Sequence, residues 1–179
     1  EFSINRVLDL NNNLLELVTA CSVAPEDIVT VNTLPVFDLA LKHELHTNGV
    51  FSNGSEVKMN TTVYNQGNIA AKSYTLINYL NEAFIFDPAK NPGWVLSPDA
   101  LSLSFVNEGY LFPGENRVHM LTLTLRENAP SGAVINYAEI LEAYDENGLA
   151  VDFDSYSDDN AKNDMGGVVN SITDNMIND

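Results

Sequence analysis

The sequence predicts an all-β fold, an antiparallel sandwich of two sheets. From about residue 35 onward apolar residues recur at every second position, the period of a strand with one buried face. These runs stop at clusters of Gly, Pro, Asn and Ser, and helical spacing is scarce. Alternating strands of this kind must bury one face each, and two sheets packed face to face satisfy them all.

The elements follow in order. Residues 1–34 allow two readings: Val7 to Ala20 fits an amphipathic helix or two short strands around Asn11-Asn12-Asn13. In Phe37 to Leu45 the odd positions form an apolar face, and Ser52-Asn53-Gly54-Ser55 supplies the next turn. Val57, Met59, Thr61 and Val63 alternate with Lys58, Asn60 and Thr62 until Asn65-Gln66-Gly67-Asn68. Ser73–Leu80, Leu101–Phe105 and Arg117–Leu125 give further strands, while Pro88, Pro92 and Pro98 argue for loop around Trp94. Val134–Tyr144 and Leu149–Asp154 flank Asp145-Glu146-Asn147-Gly148, where Asn-Gly predicts a type I′ hairpin. The resulting division is an extension or tail of a preceding repeat over 1–34, a sandwich over 35–154, and an acidic loop and linker over 155–179.

Composition narrows the function. The chain has 179 residues, 25 acids against 8 bases and a net charge of −17, with 45% hydrophobic residues. It can bury a core, and its charge opposes binding to nucleic acid or anionic lipid. No run reaches the roughly 18 apolar residues of a membrane span, so no membrane insertion is expected. Cys21 is the only cysteine, which excludes an internal disulfide and a cysteine metal cluster. The chain reads as a segment cut from a larger protein.

The acids crowd the last quarter, where Lys162 is the only base. On a strand, Asp152 and Asp154 would share a face, and two carboxylates that close repel unless a cation neutralises them. Asp158, Asp159, Asn163 and Asp164 follow in a loop, and Glu139 and Asp145 come near if the hairpin forms. Many hard oxygens on a flexible segment suit Ca²⁺, which takes roughly six to eight of them. The EF-hand spacing is absent, and a solvated acidic tail is the plain alternative.

Catalytic patterns are missing. His43 and His46 stand three apart, whereas a zincin pair stands four apart on a helix. His119 lies in phase with Leu121, and Cys21 has no nucleophile signature. There is no nucleophile elbow and no phosphate loop. The chain is therefore expected to be no enzyme. Trp94, Tyr74, Tyr79, Phe84, Phe86, Tyr110 and Phe112 could line a carbohydrate platform, as in an accessory module of a secreted hydrolase, although large rings in sandwiches mostly fill cores.

Several motifs occur in a telling order: Asp38-Leu39, Asn65-Gln66-Gly67-Asn68, Pro113-Gly114-Glu115 before Leu121-Thr122-Leu123-Thr124-Leu125, and Asn136-Tyr137-Ala138-Glu139. With them, residues 37–154 resemble the conserved-repeat domain of large bacterial surface proteins, the domain of unknown function eleven. Asp152-Phe153-Asp154-Ser155, then Asp158, Asn163-Asp164 and Gly166-Gly167, are similar to the tails of such repeats. The resemblance implies an immunoglobulin-like sandwich at the cell surface, serving as a spacer or adhesive unit. It implies neighbouring repeats of the same polypeptide as partners, and a surface glycan or protein as a further one.

Overall fold

The computed structural model describes residues 17–20, 28–31 and 33–153. The chain divides into two units, residues 1–35 and 36–179. In the first, β1 (Leu17–Ala20) pairs antiparallel with β2 (Ile28–Val31), Leu17 opposite Val31 and Ala20 opposite Ile28. The strand pair therefore lies further along the chain than Asn11-Asn12-Asn13. Val18, Thr19, Ile28, Val29, Thr30 and Val31 are β-branched, so both segments favour extended backbone.

The second unit is a two-sheet antiparallel β-sandwich. Its strands are β3 (Leu39–Leu45), β4 (Glu56–Asn65), β5 (Ser73–Tyr79), β6 (Phe84–Phe86), β7 (Trp94–Leu96), β8 (Ser102–Asn107), β9 (Asn116–Leu125), β10 (Tyr137–Asp145) and β11 (Gly148–Leu149). One sheet has the order β3-β4-β9-β6, the other β11-β10-β5-β8-β7. Every pairing is antiparallel.

Alternation decides which side chains meet between the sheets. In β5, Tyr74, Leu76 and Asn78 are buried while their neighbours are half-buried. Leu39, Val57, Met59, Val63, Leu121 and Leu123 face them from the other sheet and join one continuous core with Leu76, Leu103 and Trp94. At about 25 cal/mol per Å² of apolar surface removed from water, that inner layer is the main favourable contribution to the fold.

Two strands depart from the expectation of loop around Trp94. β6 pairs with the end of β9 and β7 pairs with β8, each at the edge of its sheet. Three residues are too few to display a period, and the prolines stand beside these strands, where an edge tolerates them. Gly93 precedes Trp94 with φ of 90°, and a Cβ there would lie 2.6 Å from the Phe105 ring. Only glycine lets the chain pass Phe105 this closely and still turn Trp94 inward.

The β10–β11 hairpin forms, but not as a type I′ turn. Asp145 pairs with Gly148, so the loop residues are Glu146 and Asn147. Gly148 has φ of 130°, and Asn147 has no positive φ. Asp145 Oδ1 accepts the amides of Asn147 (2.6 Å) and Gly148 (3.0 Å), which fixes the turn one residue earlier than Asn-Gly alone implies. The strand expected over Leu149–Asp154 ends at Leu149.

Candidate functional site

Beyond β11 the chain crosses from one sheet to the edge of the other. Ala150 N–H donates to Ala143 O at 2.9 Å, which holds the chain against β10 for one more step. Asp152 Oδ2 then accepts the Leu39 N–H at 2.7 Å, across 113 residues of sequence. β3 is an edge strand, and Asp38 O takes the amides of Gln66 and Gly67 on the β4 side. Strand backbone alternates its direction, so the Leu39 amide faces the open edge, and Asp152 satisfies a donor there that no strand can reach. Asp38, next in the chain, is fully buried.

The expected calcium ligands fall in three places. Asp152 sits at the start of β3, in irregular backbone rather than on a strand face. Asp154, Asp158, Asp159, Asn163 and Asp164 lie outside the described residues. Glu139 is buried on β10 and accepts from the Tyr79 hydroxyl, whereas Asp145 is spent on its turn. Six residues of strand separate these two, roughly 20 Å at about 3.3 Å per residue. The structure does not bring them together. Among the described residues there is no group of three or more His, Cys, Asp or Glu arranged to hold a metal ion.

A second constellation was hidden in the sequence. Register sets His43 opposite Thr61 and Thr61 opposite His119, so three polar side chains form one row across the inner face of the sheet. His43 Nδ1 meets Thr61 Oγ1 at 2.9 Å and its Nε2 meets Asn136 Oδ1 at 2.8 Å. Asn136 in turn exchanges hydrogen bonds with Asn78 of β5, at 2.6 and 3.1 Å. His119 Nε2 meets the Tyr74 hydroxyl at 2.7 Å, with the Phe105 ring at 4.5 Å. This polar seam ties β3 and β9 to the opposite sheet with directional bonds.

Burial sets the charge of the seam. It pushes His119 down to about 4, helped by the Arg117 cation, and pushes Tyr74 up to about 12 against Arg117. Burial also lowers His43, opposed by its Asn136 hydrogen bond. Both imidazoles are therefore neutral at pH 7. His46 lies on the exposed side of the hairpin against Asn60 Oδ1 at 3.2 Å, apart from His43. The 550 Å³ cavity at this end is floored by Val57, Met59, Phe84 and Leu125, with His43 and Asn136 in its wall.

The rings that could have formed a carbohydrate platform separate. Trp94, Tyr74 and Phe84 belong to the core, and Trp94 Nε1–H donates to Met120 O at 3.1 Å. Trp94 thus has no face to offer a sugar. Tyr79 and Phe86 are half-buried, while Tyr110 and Phe112 are exposed.

No family model matches the sequence, and no curated protein matches it. Among solved structures it is similar to the crystal structure of Spo0M, sporulation control protein, from Bacillus subtilis, with 17% identity and a TM-score of 0.30. That match covers 63% of this chain and 45% of the other, so the chain spans less than half of Spo0M's length.

Proposed function

We propose that this chain is a non-enzymatic structural or adhesive repeat module of a large secreted or cell-surface bacterial protein. In this reading the sandwich is immunoglobulin-like and its acidic C-terminal stretch binds calcium. The observation that carries the reading is the bond from the Leu39 amide to Asp152. It fastens the start of the acidic stretch to the first strand of the sandwich, so a cation held there would clamp the two ends of the domain together. A module loaded along its length in an array needs such a clamp.

The ligands on this reading are Asp152, Asp154, Asp158, Asp159, Asn163 and Asp164, since Glu139 is engaged by Tyr79 and Asp145 by its own turn. Calcium would neutralise carboxylates that otherwise repel, and a set of many oxygen ligands favours it over magnesium, which demands stricter octahedral geometry. Extracellular sites commonly bind with Kd of about 10⁻⁴–10⁻³ M. At roughly millimolar calcium, one such site adds about 0.4–1.4 kcal/mol. The test is a thermal melt in calcium, magnesium or chelator. A rise of a few degrees specific to calcium, lost in the Asp152→Ala, Asp154→Ala double variant, is expected. Identical melts in calcium and chelator would refute it.

A further inference from the structure

The sequence holds three Asn-Gly pairs, Asn48-Gly49, Asn53-Gly54 and Asn147-Gly148, and we infer that the fold leaves the first of them as a site of spontaneous deamidation. Asparagine is thermolabile because the backbone nitrogen of the following residue can attack its side-chain amide carbon, and glycine, without a Cβ, hinders that approach least. The step needs the attacking nitrogen brought to roughly 3–3.5 Å from the carbon and free to give up its proton. A hydrogen bond from that N–H, or one that pins the asparagine amide, opposes it.

The other two pairs are held in this way. The Gly54 amide donates to Leu125 O at 2.9 Å, and Asn53 Nδ2 donates to Glu127 O at 2.8 Å. The Gly148 amide donates to Asp145 Oδ1 at 3.0 Å, and Asn147 Nδ2 donates to Asp145 Oδ2 at 3.2 Å. Asn48 and Gly49 follow β3, just past the bond from His46 N–H to Lys58 O at 2.9 Å. Both are exposed, and a Cβ built on Gly49 would meet nothing within 4 Å. Among the described residues no hydrogen bond engages the Gly49 amide or the Asn48 side chain. In the reaction the Gly49 nitrogen loses its proton to solvent base and bonds to Asn48 Cγ, while the side-chain nitrogen regains a proton and leaves as ammonia. Water then opens the succinimide at either carbonyl, leaving aspartate or, with the main chain rerouted through the β-carbon, isoaspartate. Either product adds a carboxylate to a chain already at −17. The second also lengthens the loop where Gly49 and Val50 border the 550 Å³ cavity.

This site stands independently of the proposed function. The experiment incubates the full chain in warm, mildly alkaline buffer, with circular dichroism confirming that it stays folded. Each Asn-Gly pair is followed by peptide mass spectrometry, and enzymatic methylation of isoaspartate gives a second readout. Asn48 is expected to convert roughly tenfold or more faster than Asn53 and Asn147, because a nucleophile held away from its target by a small misplacement loses at least that much. In denaturant the three pairs should convert at similar rates, since they share the same reacting residues. Gly49→Val, whose side chain enters open space, should keep the fold and slow Asn48 severalfold by crowding the attacking nitrogen. The proposal is overturned if Asn48 stays intact in the folded chain, or if Asn53 or Asn147 keeps pace with it. The same ranking in denaturant would overturn it by tracing the difference to local sequence rather than to the fold. Chain cleavage after Asn48 in place of ammonia loss overturns it too, as does an unchanged rate in Gly49→Val.

Discussion

His119 shows how one buried side chain sets the pH response of the sandwich. Burial strips its ring of water and the Arg117 cation repels a second charge, so the neutral form is favoured and its pKa falls to about 4. The unfolded chain protonates it near the ordinary value of about 6.5. Between these values the unfolded state binds more protons. Stability is therefore full above about pH 6.5 and declines as pH falls toward 4, by on the order of 3 kcal/mol. Denaturant melts at pH 7 and pH 4.5 should show that decline, and His119→Gln, which keeps a hydrogen-bonding partner for Tyr74, should reduce it to the part that buried His43 contributes. An equal decline in the variant would assign the effect to other groups. At the alkaline end the sign reverses: Tyr74, raised to about 12, contributes below pH 10 and its share is lost as pH climbs from 10 to 12. Alternation placed His119 in phase with Leu121, but the row with His43 and Thr61 depends on strand register. No single segment of sequence states register across three strands, so the seam was not readable there.

At the scale of elements, the loop from β6 to β7 is tied to β9 by the side-chain amide of Asn91. Asn91 is buried; it donates to Asp87 O and Thr122 O, each at 2.8 Å, and accepts the Thr122 amide at 2.7 Å. It extends the ladder of β9 where β6 ends. Asn91→Ala would strand the Thr122 backbone groups, and a loss of about 2–4 kcal/mol is expected in chemical denaturation, against under 1 for exposed Asn116→Ala. A second element-level test is Gly67, whose added Cβ would meet Val36 O at 2.3 Å. Backbone must move to admit it, so Gly67→Ala should cost about 1–3 kcal/mol, measured the same way. The long strands were legible because seven or more alternating positions outweigh chance. β6 and β7 escaped because three residues carry no period. The hairpin at Asp145 was found, but its turn shifted because the Asp145 carboxylate, rather than a positive φ at Asn147, fixes the local backbone.

For the whole molecule, the sandwich follows from pattern alone, whereas its closure does not. The acidic stretch drew notice through composition, but the sequence gives no reason for Asp152 to reach back 113 residues to the Leu39 amide. That contact belongs to the packing of β3 beside β10, and Asp38 is buried next to it. Asp152→Ala should therefore destabilise the fold by about 1–2 kcal/mol even without calcium, because it leaves an edge amide without its acceptor. The proposed clamp adds to this when calcium is present. Isothermal titration of the intact chain with calcium tests that claim most directly. The account predicts saturable binding with Kd of about 10⁻⁴–10⁻³ M, abolished in the Asp152→Ala, Asp154→Ala double variant, while magnesium gives little heat. No calcium heat in the intact chain, or the same heat in the double variant, would contradict it.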